Sequence, residues 1–570
     1  MISDLLAQYA HLPDVWGEGA LFAFSGLDGE TNAASGFVAT YARERYGLLI
    51  HTPQRRLLDV RVSDVGEVRI ATGDVLGVQT ARGDLLLAYA AWHTLVGVVP
   101  EDAMLALRFE DGTPATEVEG VWVTADEAHG DAIALARRGS RGALAYGRTV
   151  AEARARVLAG LDADPHAVAA ARLASFAVVP AMASADADRL LKKCFSVMKV
   201  NTLAPEGPMQ QTWSTPDRVP HRDMWLWDSV FHSLAMNRFH PRVAWDFLKC
   251  VLDTQQPDGM IPHQSSVSGW RSHITQPPLL AWGVWENYQA LRDPETLAYA
   301  LPRLEAYLMW DLAHRDRNRN GLLEWWIEGN VRSRSGESGL DNSARFDMAV
   351  PLDAVDFSVW AAADMGYVAQ IAAVLGDADR AAAWAARARR TSAAVHRELW
   401  DEETALYYDR TMEGAFTGVK AVSSLMPLLL DDLPPARLRR LAGWLQDPAA
   451  FGAPFPVPSL ALSEPTWSTD MWRGPTWLNL NYLIIIGLRR HGERTLAQWL
   501  ADKTLQHVAK YYERYGVLFE FYDAKDEVPP PLCDRKGPHQ EPYDIRRKMD
   551  SIRDYHWTAA VTALLLLEAR

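Results

Sequence analysis

The sequence predicts a mainly α-helical protein in which an N-terminal antiparallel β-sandwich precedes a C-terminal (α/α)6 barrel. Three observations support this prediction. The 570 residues exceed what a single hydrophobic core usually supports, so two domains are expected. Short apolar runs separated by turn residues fill the first part of the chain. After about residue 185, nearly every periodic segment has the helical repeat.

The β-sandwich is predicted for residues 1–148 from runs that alternate with Gly and Asp. These runs read ALFAFSG, SGFVATYA, YGLLIHT, LLDVRVSD, GEVRIATGDVLGVQ, GDLLLAYAAW, LVGVVPED, MLALRFEDG and GVWVTADE. Residues 149–185 are rich in Ala and Arg with helical spacing, and they are predicted to form a helical linker.

The barrel is predicted for residues 186–570, where twelve helices would form six hairpins. The predicted helices begin near Asp186, Leu226, Pro241, Gln276, Glu295, Leu352, Asp377, Gly418, Pro434, Pro475, Glu493 and Asp550. A ring of six hairpins buries the apolar side of each helix and leaves long loops at one end. A solenoid is the alternative, but the hairpins show no sequence repeat of the kind that such arrays carry.

Composition and charge exclude several classes of protein. The net charge of -14 would repel a phosphate backbone, so no nucleic-acid partner is expected. The N-terminus lacks a basic region followed by an apolar run, and no charge-free stretch approaches membrane-spanning length, so we expect a cytoplasmic protein without a membrane partner. The three cysteines, Cys194, Cys250 and Cys533, form an odd, scattered set and are predicted to be buried thiols.

Six loop segments combine polar, aromatic and rigid residues and are predicted to form the functional site. They are HRDMWLWDS (221–229), QQPDGMIPH (255–263), ITQPP (274–278), GESGLDNSARFD (336–347), MWRGPTWLNLNY (471–482) and LFEFYD (518–523). Aromatic faces beside polar groups suit the two faces of a sugar ring, although Trp is also common in protein cores.

Together these segments resemble glycoside hydrolase family 63 and its clan relatives, the trehalases, over roughly the last two-thirds of the chain. The resemblance implies an (α/α)6 barrel that hydrolyses a glycosidic bond with inversion. In the matching ESGxDNS and FExYD motifs the general acid would be Asp341 and the general base Glu520. Acetal hydrolysis needs one protonated carboxyl at the leaving oxygen and one carboxylate that activates water.

Each catalytic assignment has a structural alternative. Asp341 lies in a turn signature and could be a loop-bracing carboxylate, and Glu337 in the same motif competes for the acid role. Glu520 could be a solvated side chain at the end of an element, with Glu513 and Glu527 nearby.

The resemblance also implies the residues that bind the sugar. They are Trp225, Trp227, Asp228, His263, Gln276, Glu337, Trp472, Arg473 and Trp477. Helix-start packing, a capped loop histidine and a structural arginine are the alternatives for Asp228, His263 and Arg473. For Glu337 the alternative that the resemblance implies is bracing of its own loop.

The segment DRNRNGLLE is a candidate calcium site, with Asp316, Asn318, Asn320 and Glu324 as ligands. Oxygen side chains at alternate positions followed by Gly resemble the start of a calcium loop. The bidentate Glu of an EF-hand is missing, because Ile327 stands at its position. The alternative to a structural calcium ion is a turn stabilised by its own side chains.

The expected substrate is a small α-linked glucoside, such as a disaccharide or glucosylglycerate, cleaved from one end without an organic cofactor. Trehalase or mannosylglycerate hydrolase activity is the alternative within the clan, and a non-catalytic carbohydrate-binding protein is the alternative outside it. The charged insertion at residues 524–555 is longer than the family pattern, and it is expected to be a lid or a contact in a homo-oligomer.

Overall fold

The computed structural model describes residues 1–42, 46–64, 66–539 and 550–569. It confirms the predicted fold class, because antiparallel sheets fill the N-terminal part and paired helices fill the rest. The α-helices in the described residues are α1 Ile2–Leu6, α2 Val150–Asp162, α3 Pro165–Leu173, α4 Ala185–Val200, α5 Leu226–Met236, α6 Pro241–Leu252, α7 Leu280–Leu291, α8 Pro294–His314, α9 Val355–Val374, α10 Ala378–Glu398, α11 Pro435–Gln446, α12 Leu478–Arg490, α13 Arg494–Tyr515 and α14 His556–Glu568.

Two antiparallel sheets form the N-terminal domain. The strands are β1 Leu21–Phe22, β2 Ala39–Tyr41, β3 Leu48–Ile50, β4 Arg56–Arg61, β5 Glu67–Ala71, β6 Val75–Thr80, β7 Gly83–Ala91, β8 Thr94–Val98, β9 Met104–Phe109, β10 Thr116–Val118, β11 Val121–Asp126, β12 Asp131–Arg138 and β13 Arg141–Gly147. One sheet has the order β1-β2-β3-β4-β9, and the other β10-β11-β12-β13-β8-β7-β6-β5.

The core of this domain lies between the two sheets. Phe22 on β1 packs on Tyr89 of β7 with ring centroids 5.1 Å apart, and Phe37 packs on Tyr146 of β13 at 5.6 Å. The outer face of the larger sheet is covered by α2, whose Val157 is fully buried against small residues of β12 and β13. Each side of that sheet therefore has an apolar partner, as a buried sheet requires.

Six helical segments close into an inner ring. In order around the ring they are α5, α7, α9, the 3-10 helix Val422–Leu429, α12 and α14, each in contact with the next, and α14 contacts α5. Each ring segment has a neighbouring helix in the chain. These six helices are α4, α6, α8, α10, α11 and α13. The twelve predicted starts correspond to these twelve segments, the eighth of which is a 3-10 helix with Pro427 inside it.

Short antiparallel pairs connect the loops at the ring's open end. They are formed by β14 Thr202–Leu203 with β15 Trp213–Ser214, β16 Met224–Trp225 with β17 Gln264–Ser265, β18 Leu352–Asp353 with β21 Arg410–Thr411, and β19 Trp400–Asp401 with β20 Leu406–Tyr407. One described helix, α9, is long and apolar enough to cross a membrane, but 67% of its apolar window is buried. It is an inner helix of the ring. The three cysteines are free and buried, which confirms their prediction.

Candidate active site

A cavity of about 1320 Å³ opens at the end of the ring where the predicted loops gather. Nine of the predicted site residues line it, namely Trp225, Trp227, Asp228, His263, Gln276, Asp341, Trp472, Trp477 and Glu520. These residues come from segments almost 300 positions apart, so the ring closure brings them together.

Asp341 follows the 3-10 helix Gly336–Ser338 and a glycine in the left-handed region. Gly339 has φ +71°, and a Cβ added there would lie 2.5 Å from the Trp227 ring. A side chain at this position would therefore be strained twice, by its backbone and by the tryptophan. The Asp341 carbonyl accepts the Ser335 N–H at 3.1 Å, which closes the loop around the candidate acid.

The Asp341 carboxylate contacts the Lys536 ammonium, with 2.5 Å between Nζ and Oδ2. Burial raises the pKa of Asp341, but Lys536, His263 and Arg535 outweigh burial, and the pKa lies below its ordinary value. Asp341 is therefore ionised at neutral pH in this structure.

Asp470 fixes the segment that carries Lys536. Its carboxylate accepts the backbone N–H groups of Lys536 at 2.6 Å and Gly537 at 3.2 Å. It also accepts the side-chain amide of Asn342 at 3.1 Å, beside Asp341. Lys536 has φ +56°, an uncommon conformation for a residue with a side chain. Asp470 thus holds the cation and the candidate acid in one arrangement.

Glu520 is buried and held by a fork-shaped pair of hydrogen bonds. Arg535 donates from Nε to Oε2 at 2.7 Å and from its second terminal nitrogen to Oε1 at 3.0 Å. The Glu520 backbone N–H donates to the Ile552 carbonyl at 2.8 Å. This bidentate pair fixes the orientation of the carboxyl group that is the candidate base.

Tryptophans form the floor of the cavity. Trp472 and Trp477 stack with centroids 3.5 Å apart and planes 9° apart. Trp227 meets the Trp557 ring edge-on at 5.5 Å, and its backbone N–H donates to Oε1 of Gln276 at 3.1 Å. Gln276 therefore positions Trp227 as well as lining the cavity.

Burial shifts the pKa values of both Asp228 and His263 toward the uncharged form. Burial, followed by the charges of Glu520, Asp217 and Asp341, raises the pKa of Asp228 well above its ordinary value. Burial lowers the pKa of His263 to about 4. Neutral side chains that both donate and accept hydrogen bonds are suited to sugar hydroxyl groups.

Two predicted sugar-binding residues lie outside the cavity lining. Glu337 is fully buried and accepts two bonds from Arg315, at 2.6 and 2.9 Å, as well as backbone N–H groups. Arg473 pairs with Asp347 through two bonds of 2.8 Å. The structure therefore corrects the sugar-binding prediction for both: Glu337 braces the acid loop, and Arg473 joins two loops, because their polar atoms are occupied by those partners.

The cavity lining also includes residues that were not predicted, among them Arg535, Lys536, Tyr555 and Trp557. The first three belong to the charged insertion at 524–555, where the adjacent Arg and Lys were a visible signal. The role of that insertion as a lid or oligomer contact stays a prediction, and its residues 540–549 lie outside the described part of the chain.

The predicted calcium loop is closed by its own hydrogen bonds. Asp316 accepts the backbone N–H groups of Asn320 and Gly321 at 2.9 and 3.1 Å. The amides of Asn318 and Asn320 donate to Asp353 at 3.0 and 2.7 Å. Among the described residues, no three His, Cys, Asp or Glu side chains converge as a metal-binding group. The side chains of the turn thus accept its backbone N–H groups and bridge it to Asp353.

Calcium stays a prediction at this loop, and buried carboxylates support it. Burial raises the pKa of Glu324 to about 7 and also raises that of Asp353, and a bound cation would favour their charged forms. If the loop binds calcium, EDTA should lower the Tm by several degrees and added CaCl2 should restore it. An equal Tm with and without EDTA would leave the turn as the only role of this segment.

The family model of the mannosylglycerate hydrolase MGH1-like glycoside hydrolase domain matches residues 220–558. Mannosylglycerate hydrolase of Thermus thermophilus is 26% identical over 52% of this chain and 88% of its own length. A Borreliella burgdorferi protein is 23% identical over a stretch that covers 44% of this chain and 52% of that protein.

Solved structures show the same fold. A family 63 mannosylglycerate hydrolase from Thermus thermophilus, in complex with glucose, is 24% identical with a TM-score of 0.54. The match covers 67% of this chain and all of that chain. A bacterial glucoamylase in complex with acarbose is 13% identical with a TM-score of 0.59, over 97% of this chain and 95% of the other. The likeness to the glucoamylase therefore extends over both the sheet-containing and the helical part of this chain.

Proposed function

Because this chain belongs to the MGH1-like glycoside hydrolases of family 63, we propose that it cleaves a small α-linked glucoside from its non-reducing end with inversion. Asp341 is the general acid and Glu520 the general base. The observation that carries the proposal is that these two carboxylates, from loops far apart in sequence, line one tryptophan-floored cavity.

The two carboxylates have different electrostatic partners, as the two roles require. Glu520 accepts two hydrogen bonds from a buried guanidinium, which hold the group that would take a proton from water in one orientation. Asp341 pairs with a single flexible ammonium whose side chain is 27% exposed. Inverting catalysis also needs space for one water between the base and the anomeric carbon.

The acid needs a proton that it lacks in the unliganded arrangement. The Lys536 ammonium lies 2.5 Å from Asp341, where the leaving oxygen would have to lie to receive the proton. Substrate entry therefore displaces Lys536 from Asp341. Burial is the largest single influence on the pKa of Asp341, and without the ammonium it favours the protonated form.

The sugar itself is held by neutral groups over the aromatic floor. The raised pKa of Asp228 favours its protonated form, and the lowered pKa of His263 favours the neutral imidazole. Such groups bind hydroxyls without the cost of burying a charge. The rings of Trp227, Trp472 and Trp477 supply apolar faces for the sugar carbons.

The Lys536 ammonium beside Asp341 favours an acidic leaving group such as glycerate. A carboxylate on the leaving group offers the displaced Lys536 ammonium a new partner. Glucosylglycerate is thus the first candidate within the small α-glucosides. Mannosylglycerate is the second candidate, because several relatives of this chain are mannosylglycerate hydrolases.

Proton NMR tests the proposal. We expect a panel containing glucosylglycerate, mannosylglycerate, trehalose and α-linked disaccharides to include a substrate whose released sugar is the β-anomer before mutarotation. Inversion predicts this anomer because water attacks the face opposite the leaving group. Release of the α-anomer would contradict the assigned mechanism, and the identity of the cleaved compound would distinguish glucose from mannose specificity.

A further inference from the structure

Part of the cavity mouth is built by the N-terminal domain rather than by the barrel. Residues 51–55, which precede β4, and residues 109–111, which end β9, line the cavity. We call these two segments the β-domain wall. They lie side by side because β4 and β9 pair antiparallel, with Arg56 opposite Phe109.

A buried arginine organises this wall. The Arg56 side chain is fully buried and pairs with the equally buried Asp131. Its guanidinium also donates to the Thr52 hydroxyl at 2.9 Å and contacts the Gln54 carbonyl, and it lies 4.7 Å from the centre of the Phe109 ring. The wall is therefore held in shape without a ligand, which is the property of a preformed binding surface.

The wall belongs to the leaving-group side of the cavity. Pro53, Gln54 and Glu110 are exposed, whereas the tryptophans of the floor are buried, so the wall lies at the mouth. The lining also includes residues of the segment 328–333, which we call the rim segment and which leads into the loop that carries Asp341. In the proposed function the acid contacts the leaving oxygen, so the leaving group lies beside the rim segment.

The cavity is larger than a minimal substrate requires. Its volume of about 1320 Å³ exceeds the roughly 300–1,000 Å³ of typical small-molecule sites. The family match begins at residue 220, so the β-domain wall lies outside the shared part of the chain. The wall is thus a part of the cavity that the family match does not cover.

We infer that the β-domain wall and the rim segment form a subsite for an additional neutral sugar unit on the leaving group. Their charged side chains are mixed, with Arg55 3.5 Å from Glu110, and with Asp111, Glu328 and Arg332 also in the lining. Three carboxylates against two guanidinium groups do not favour an anion. Mixed donors and acceptors beside the Phe109 ring suit sugar hydroxyls and a sugar face.

This inference rests on the proposed function, and paired substrates test it. The pairs are maltose with maltotriose and isomaltose with isomaltotriose, with methyl α-glucoside as the reference without an aglycone ring. We expect kcat/KM to rise about tenfold in the wild type as sugar rings are added, and we expect Gln54→Ala/Glu110→Ala to abolish that rise, because two hydrogen-bonding side chains are lost. Its kcat/KM for methyl α-glucoside should match the wild type.

Glu117→Ala is the matched control, because Glu117 is exposed on β10 and does not line the cavity. This variant should show the same rise in kcat/KM with added sugar rings as the wild type. Calorimetric Kd values of the same trisaccharides separate the two proposals, because they do not depend on turnover. Weaker trisaccharide binding by the double variant without turnover by the wild type would refute the hydrolase and keep the subsite. Equal binding by wild type and double variant would overturn the subsite.

Discussion

Asp341→Asn should lower kcat on the glycoside identified by NMR by about 10²–10⁴-fold, the usual contribution of a general acid. An amide cannot deliver a proton to the leaving oxygen. The fold should remain intact, because the Asp341 side chain is 21% exposed and its Lys536 partner 27%. Kinetics and thermal unfolding of the purified variant measure both parts of this result.

The leaving group distinguishes a lost acid from a damaged site. Fluoride leaves with little need for protonation, so α-glucosyl fluoride should be hydrolysed by Asp341→Asn at a rate much closer to that of the wild type. A variant that merely distorts the cavity would lose activity on the glycoside and on the fluoride alike. Asp228 is the other carboxyl that could hold a proton, since burial raises its pKa. Full activity in Asp341→Asn together with loss in Asp228→Asn would transfer the acid role to Asp228.

Lys536→Met extends this test to the pH profile. Lys536 is the strongest influence that lowers the pKa of Asp341, so its removal raises that pKa. An acid acts in its protonated form, and kcat/KM therefore falls as the pH rises through its pKa in the free enzyme. The alkaline limb of kcat/KM should move to higher pH in the variant. An alkaline limb at the same pH as in the wild type would show that Lys536 does not control the protonation of Asp341.

The sequence was sufficient for most of the fold because helical periodicity and turn residues are local signals. The segments that it described less well lack those signals. β12 and β13 follow GVWVTADE, the last of the predicted strand segments. Both strands are rich in Ala, which has a low β propensity. The eighth ring segment contains Pro427, which removes a backbone donor, and the structure has a 3-10 helix there.

The site was predictable where a motif carried the residue and not where a partner decided its role. Glu337 and Arg473 belong to matching motifs, but their ion pairs with Arg315 and Asp347 occupy them, and sequence spacing does not reveal such pairs. Arg535 and Lys536 reach the two carboxylates from an insertion without a family pattern. The β-domain wall reaches the cavity only through the packing of two domains.

Glu520→Gln should remove at least as much activity, about 10²–10⁴-fold in kcat, on every substrate including α-glucosyl fluoride. Both reactions need an activated water, and a neutral amide cannot accept its proton. The change also weakens a buried ion pair with Arg535, so the Tm should fall. Glu513→Gln, which makes the same chemical change on an exposed residue of α13, should retain full activity and the wild-type Tm.

Azide separates the chemical role of Glu520 from its structural one. As an anion, azide can attack the anomeric carbon without first losing a proton, so it replaces the water that Glu520 would activate. Azide should therefore restore consumption of α-glucosyl fluoride by Glu520→Gln and give the β-glucosyl azide. A cavity that had collapsed around Arg535 would not respond to azide. Lack of rescue in a folded variant, or an α-configured azide, would remove Glu520 from the role of general base.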